Sequence, residues 1–570
     1  MTFQLPFADE MVKRIKLLSF FFLFFFLLIM AKLFFWQVVK SKELTNLSVQ
    51  QYSAFIDLPV ERGKIFTADN FPLVLNQPNF LLYANPQQVK ISFSEIIDKL
   101  KEFSDGKELK ISSLANKNML WVPLLKNLNE ETKEKIEKMA IAGLGFEEYP
   151  KRFYPEASLS AQLLGFVGSD EQGQEMGYFG LEGYFDNELK GKTGKRNFEQ
   201  DALGRPMPVS WQIEEKTIAG RNLFLNLDRP LQFLAENHLK KGLEKYGASA
   251  GSVTIMDPQD GAILAMASFP SYDQANYSIF DPELFRNPVI SSSFEPGSIF
   301  KTIVMAIGLD TKAVRPNDLC PSCNGPKKIS DYTIKTWNDK YYPNSSITDI
   351  IVHSDNVGMI YVGEKINSSR FYDYLKKFGF GDKTGIDLQG EASPQLRNKN
   401  DWREIDLATA SFGQGIAVTP IQMITAVSAI ANGGILFQPQ VVRKIFDDSR
   451  SITIDPVKKG NPISAETAEQ ITAMMVEAVE KGEAKWAKPK GYLIAGKTGT
   501  AQIPIAGHYD PQKTVASFIG FAPADKPRFV MLVSLNEPKS SPWGSETAAP
   551  LWFEIAKDIF RLWHIPTSVK

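Results

Sequence analysis

The stretch "GSVTIMDPQDGAILAMAS" (Gly251–Ser268) is two apolar runs around an Asp-Pro-Gln-Asp-Gly turn, the pattern of a β-hairpin. Just upstream, "NLFLNLDRPLQFLAENHLKKGLEKYG" (Asn222–Gly247) gives a short strand and then a helix. Asp228 is placed to cap that helix, Pro230 falls in its first turn and Gly247 ends it. Leu231, Leu234, His238, Gly242 and Tyr246 share one face of it, mostly apolar. Far downstream, "GYLIAGKTGTAQI" (Gly491–Ile503), "ASFIGFAP" (Ala516–Pro523) and "RFVMLVSL" (Arg528–Leu535) read as three more strands. Between them lie helical patterns, among them "TPIQMITAVSAIANGG" (Thr419–Gly434), with Thr419 as N-cap, Pro420 at the first position and glycines at the end. A hairpin before a set of helices and three strands after it predict one antiparallel sheet with helices packed around it. The expected class is α+β, with this domain over residues 221–570.

The rest of the chain differs. "LLSFFFLFFFLLIMA" (Leu17–Ala31) is uncharged, and with "LFFWQVV" beyond Lys32 it extends to Val39. As a helix, Leu17–Val39 spans about 34 Å, enough for a hydrocarbon core of about 30 Å. A cleaved signal peptide is the rival reading, but no small-x-small cleavage site follows closely. The expectation is an uncleaved transmembrane anchor at 17–39, with residues 1–16 as a cytoplasmic tail and the remainder outside the cell membrane. Residues 40–220 break into short strand-like runs, as in "RGKIFTADNFPLVL" (Arg62–Leu75), and form an extended, mostly-β pedestal. Within it "ELKGKTGKRNF" (Glu188–Phe198) reads as a loop. Lys+Arg number 64 and Asp+Glu 65, so no basic surplus points to nucleic acid. The two cysteines form Cys320-Pro-Ser-Cys323. Without a second CxxC or an HxxxH partner, a local disulfide or free thiols lead over a zinc site, and a redox pair is the weakest reading. No metal or cofactor is expected.

The chemistry starts at "SFEPGSIFKTIV" (Ser293–Val304). Ser298 lies three residues before Lys301 at the head of an apolar helical run, so the two can share a face and touch. A serine needs a base, and a lysine is one only when neutral. Burial and a neighbouring cation both favour that state. SxxK alone is weak, since Ser104-Asp-Gly-Lys107 is another. Two further elements change its weight. One is Ser354-Asp355-Asn356, and the other is Lys497-Thr498-Gly499 within a strand. A second SxN at Ser322 and a second Lys-Thr-Gly at Lys192 both read as loop.

SxxK, SDN and KTG in this order are the trio of penicillin-binding proteins and class A β-lactamases. The roles make physical sense here. Ser298 is the nucleophile and Lys301 its base. Ser354 can relay a proton between Lys301 and a leaving amine, and Asn356 can bond Lys301 and a substrate amide. Lys497 supplies the second cation and attracts a carboxylate, which Thr498 also binds. Gly499, lacking a side chain, lets a substrate lie along the strand. The N–H groups of Ser298 and Thr500 can form an oxyanion hole.

Beyond the trio, "RGKIFTADNFPL", "RFYPEASLSAQLLGFVG" (Arg152–Gly168), "GLEGYFDNELKGKTG" (Gly180–Gly194), "SFGQGIAVTPIQMITAVSAIANGG" (Ser411–Gly434) and "SFIGFAPADKPRF" (Ser517–Phe529) resemble class B penicillin-binding proteins. In two places the chain departs from that family. Ala157 stands where the family usually has glycine, and Thr67-Ala68-Asp69-Asn70 replaces the commoner Asp-Arg-Asn-Gly turn. The resemblance implies a membrane-anchored peptidoglycan D,D-transpeptidase that attacks D-Ala-D-Ala stem peptides, releases D-Ala and is acylated by β-lactams. It is more like the septal type than the elongation type. With no sign of a glycosyltransferase domain, the implied partners are a SEDS-type glycosyltransferase and division-complex membrane proteins. The competing readings are a β-lactamase or β-lactam sensor, a D,D-carboxypeptidase, and a non-catalytic division scaffold. No Glu-x-x-Leu-Asn element lies between SDN and KTG, which disfavours the lactamase.

Overall fold

The computed structural model describes residues 7–58, 60–104, 122–171, 174–199, 212–505 and 508–568. The chain opens on helix Phe7–Phe34, continued by a π-helical turn Phe35–Val39. Over Glu10–Val39 this helix is long and apolar enough to cross a membrane, and none of its most apolar window packs against protein. That combination fits membrane anchoring.

Contacts divide the chain into two compact units. The first comprises 1–60, 78–151 and 192–218. Its core gathers Phe80, Leu82, Ile96, Leu100, Val122, Leu125 and Ile136. The stretch read as a loop is partly strand: Gly194–Glu199 pairs antiparallel with Ser53–Leu58. The ladder partner lies far upstream, so the local glycine and lysine content could not announce it.

The second unit comprises 61–77, 152–191 and 219–570, so two segments read from sequence as pedestal pack with the C-terminal residues. Ile65–Phe66 pairs antiparallel with Pro72 and Val74 across a tight turn, and parallel with Asn222–Leu225. Beside this ladder Glu182 is fully buried, accepting from Arg62 Nε and Arg152 Nε at 2.7 Å each. Burial alone would raise the Glu182 carboxyl, but the two guanidiniums outweigh it and hold it below the usual carboxylate range. Removing one partner of such a buried cluster typically costs about 3–5 kcal/mol.

Both departures from the family pattern sit in the left-handed backbone region. Asn70 has φ +66° and Ala157 has φ +50°. Asparagine tolerates this conformation, whereas alanine carries the Cβ clash that glycine avoids.

The C-terminal sheet has five strands in the order Ile263–Phe269, Ala250–Met256, Phe529–Asn536, His508–Ala522 and Ala495–Ile505, every neighbour antiparallel. Helix Arg229–Tyr246 has Asp228 as its N-cap and Gly247 at its end, as the sequence predicts. With helix Ala548–Leu562 it covers one sheet face through Leu231, Leu239, Phe518, Phe529 and Trp552. The opposite face packs Ile519, Phe521, Val530 and Leu532 against helices Lys301–Asp310, Pro420–Ala431 and Ala465–Lys481. Burial on both faces is why "RFVMLVSL" is nearly all apolar rather than alternating. Helix Lys301–Asp310 runs through this core, buried from Lys301 to Leu309.

The strain at residue 157 is testable. A left-handed alanine costs about 1–2 kcal/mol, partly offset in a glycine variant by the added freedom of its unfolded chain, about 0.5–1 kcal/mol. Ala157→Gly should therefore raise the thermal unfolding midpoint of the detergent-solubilised protein. A lowered midpoint would contradict the assignment of strain.

Candidate active site

Ser298 lies in the 3-10 turn Gly297–Phe300, which runs directly into helix Lys301–Asp310. Gly297 has φ +54°, and a Cβ there would stand 3.1 Å from both Ala501 Cβ and Thr500 O. The turn is thus pressed against strand Ala495–Ile505, and its Gly297 N–H donates to Gly413 O at 2.9 Å. The nucleophile candidate is held from two sides before any side chain acts.

Lys301 is fully buried. Its Nζ donates to Ser354 O at 2.6 Å and Asn356 Oδ1 at 2.7 Å, and lies 3.3 Å from Ser354 Oγ. Ser354 Oγ is 3.0 Å from Ser298 Oγ. Ser354 Oγ thus lies within hydrogen-bond reach of both Ser298 Oγ and Lys301 Nζ. The two stronger acceptors draw Nζ toward the SDN segment, and the serine hydroxyl completes the line. Ser354 itself has φ +54°, a strained conformation for a residue with a side chain. Asn356 opens helix Asn356–Ile366, which Asp355 caps by accepting from Val357 N and Gly358 N. Asn356 Nδ2 also donates to Lys335 O at 3.1 Å.

The strand Ala495–Ile505 forms the edge of the sheet and alternates in burial from Lys497 to Gln502. Lys497, Gly499 and Ala501 are buried, while Thr498, Thr500 and Gln502 are half-buried and line the cleft. Gly499 therefore faces inward. A Cβ there would come within 2.4 Å of Ser517 Oγ and 2.9 Å of Ile299 Cγ2. Its missing side chain lets the strand approach the serine turn; it does not open the substrate face, and this corrects the reason given from sequence. Lys497 Nζ lies 3.1 Å from Thr498 O and 3.2 Å from Thr498 Oγ1.

Burial, with the charge of Lys497 behind it, pushes Lys301 well below an ordinary lysine, against the pull of Asp355 and Glu483. Burial lowers Lys497 to about 8, and Glu483 opposes the shift. One amine is thus biased to be neutral beside one that stays largely charged near neutral pH.

The cleft above these groups has a volume of about 550 Å³ and is lined by Ser298, Ser354, Asn356, Thr498 and Thr500 together with residues the sequence reading missed. Trp337 and Trp543 form an edge-to-face pair at 4.9 Å on its wall, and Phe412, Gln414 and Glu483 also face it. Phe412 and Gln414 fall within the quoted "SFGQG" stretch, but no local chemistry marked Trp337, Trp543 or Glu483. The remaining candidates lie elsewhere. Lys192 is exposed in the first unit, bridged to Ile218. Lys107 of the other SxxK is outside the described residues. Cys320 and Cys323 are joined as a disulfide.

A buried lysine, a bridging hydroxyl, a serine at a turn and a second lysine on a sheet edge define a serine–lysine acyl-transfer site on an α+β domain. Residues 251–561 match the penicillin binding protein transpeptidase domain, and residues 57–225 match the penicillin-binding protein dimerisation domain. The chain is 33% identical over 554 residues to the stage V sporulation protein D of Bacillus subtilis, covering 96% of this chain and 85% of that protein. It is 31% identical to the peptidoglycan D,D-transpeptidase FtsI of Escherichia coli K12, covering 93% of this chain and 87% of the relative. Among solved structures, penicillin binding protein 2X of Streptococcus thermophilus superposes with a TM-score of 0.73 at 24% identity, over 90% of this chain and 82% of that one. The chain belongs to the penicillin-binding protein transpeptidase family, and with its dimerisation domain and membrane-length helix it is a class B member.

The bridging position of Ser354 can be separated from its strain. Ser354→Gly keeps the left-handed backbone at no steric cost while deleting the hydroxyl. Covalent labelling by fluorescent penicillin should slow by about 10²-fold or more, the usual scale of a lost proton-transfer partner, with the fold unchanged by circular dichroism. Labelling within a few fold of the parent would show that Ser298 and Lys301 communicate without it.

Proposed function

We propose that this peptidoglycan D,D-transpeptidase works through Ser298 as nucleophile and Lys301 as base, linked by Ser354. What carries the reading is the unbroken line from Ser298 Oγ through Ser354 Oγ to Lys301 Nζ, with Lys497 alongside. A neutral Lys301 has two N–H groups to give Ser354 O and Asn356 Oδ1, which leaves its lone pair for the Ser354 hydroxyl. Ser298 Oγ attacks the carbonyl carbon of the penultimate D-Ala. Its proton moves to Ser354 as the Ser354 proton moves to Lys301. The N–H groups of Ser298 and Thr500 receive the developing oxyanion. Collapse breaks the peptide C–N bond, and the departing D-Ala amine takes the proton back from Lys301 through Ser354. Lys497 and Thr498 hold the terminal carboxylate throughout. The ester on Ser298 is then attacked by an amine of a neighbouring stem peptide, whose proton returns along the same line as Ser298 is freed. A β-lactam enters by the first step, but its ring opens with the leaving nitrogen still tethered.

The catalytic domain works on the outer side of the membrane, where cross-linking takes place, with residues 1–16 inside. The similarity to FtsI over nearly the whole chain supports a septal role alongside a SEDS-type glycosyltransferase and division-complex membrane proteins.

Ser298→Ala should fold normally and lose covalent penicillin labelling entirely; labelling at the parent rate would refute the assignment. The pH dependence follows from the two lysines. Neutral Lys301 accumulates as pH rises through its lowered pKa, and the Lys497 charge is lost as pH rises through about 8. The acylation rate should rise on the acid side and fall above a pH of about 8. A rate still climbing steadily into the range of an ordinary lysine, about 10.4, would contradict both assignments. Offering purified enzyme a stem-peptide donor with and without an amine acceptor distinguishes transpeptidation from carboxypeptidation.

A further inference from the structure

Glu483 stands in the turn that follows helix Ala465–Lys481; the residue is exposed as a whole, while its carboxyl is partly desolvated. It lines the substrate cleft beside Ser354 and Thr498. It also lines a second, small cavity of about 10 Å³ shared with Lys497, Ser354 and Thr498, a space on the scale of one water molecule. Ser545, which is buried, is a further polar neighbour that holds its carboxyl down. The cations whose charge acts on it are Lys497, Lys301 and His353, the last stacked on Tyr342. Lys301 also feels Asp355, whose Oδ1 caps the next helix.

This arrangement poses an electrostatic question that the catalytic trio leaves open. Lys497 must be an ammonium to clamp a carboxylate and to disfavour a proton on Lys301. Yet it is 3% exposed, and its Nζ touches only Thr498 oxygens among the hydrogen bonds described. A buried ammonium without a counter-charge sheds its proton.

We propose that Glu483 is a positioning residue for acylation, the carboxylate that compensates the Lys497 ammonium across the small shared cavity. This inference rests on the reading of Ser298, Lys301 and Lys497 given above. Burial already draws Lys497 down to about 8 with Glu483 opposing the shift, so loss of the carboxylate lets it fall further. Lys301 loses an opposing charge as well and moves the same way. Partial desolvation raises the Glu483 carboxyl itself, and Lys497, Lys301 and His353 pull it back. Glutamate therefore sets where on the pH axis the site works, without touching substrate chemistry.

The test is the pH profile of the second-order rate constant for acylation by fluorescent penicillin, measured on full-length detergent-solubilised protein. Glu483→Gln should displace both limbs to lower pH, so that its profile crosses that of the parent. It should be slower above the parent optimum, by up to about tenfold if the limb moves one unit, and faster on the acid side. Glu483→Asp should restore most of the parent profile. A Glu483→Gln profile that is unmoved, or scaled down equally at every pH, overturns the inference. The parent protein reports on the underlying reading separately. If it is not labelled at Ser298, the site assignment fails first.

Discussion

Everything in this active site depends on one amine kept out of water. Lys301 is fully buried, and its hydrogen-bond partners are a carbonyl, an amide oxygen and a hydroxyl, none of them a carboxylate. In that setting the neutral form is favoured, and only the neutral form can take a proton from a serine. The placement of the amine is a property of the fold. The helix that carries it runs through the core beneath the sheet, so Lys301 begins a segment buried residue after residue. The energetic penalty for a charge there is what makes the base.

Around that constraint the other elements fall into place. The serine turn is fixed by close approach of Gly297 to the edge strand and by Gly413 on its other side. Gly499 permits the approach from the strand side. The left-handed Ser354 brings its hydroxyl between nucleophile and base, a strained backbone held by the capped helix that follows it. The edge strand then divides its residues by parity. The odd-numbered Lys497 goes inward, where its charge reaches Lys301, and the even-numbered threonines go outward, where a substrate would lie.

Much of this was legible in the sequence. The hairpin Gly251–Ser268, the three late strands and the caps at Asp228 and Thr419 follow local rules, and they appear as those rules predict. The SxxK, SDN and KTG residues do converge on one cleft. What escaped were relations across space. The i, i+3 spacing of Ser298 and Lys301 did not show that the Lys301 amine also donates to the Ser354 carbonyl. The strand Gly194–Glu199 depends on a partner far upstream. Segments 61–77 and 152–191 pack with residues hundreds of positions later. Glu483 belongs to a turn with no motif, and only the fold sets it on a cavity shared with Lys497. The family departures at Asn70 and Ala157 were visible as letters, but their common cause, a positive φ, was not.

The most direct measurement is the protonation state of Lys301 itself. In protein labelled with ¹³C-lysine, the Cε resonance of Lys301, assigned by its loss in Lys301→Arg, can be followed through a pH titration. The account predicts a resonance already at the neutral-amine position near neutral pH, with its midpoint far below the value of about 10.4 for a lysine in water. A Lys301 that remains an ammonium through the pH range in which penicillin acylates the enzyme would contradict it.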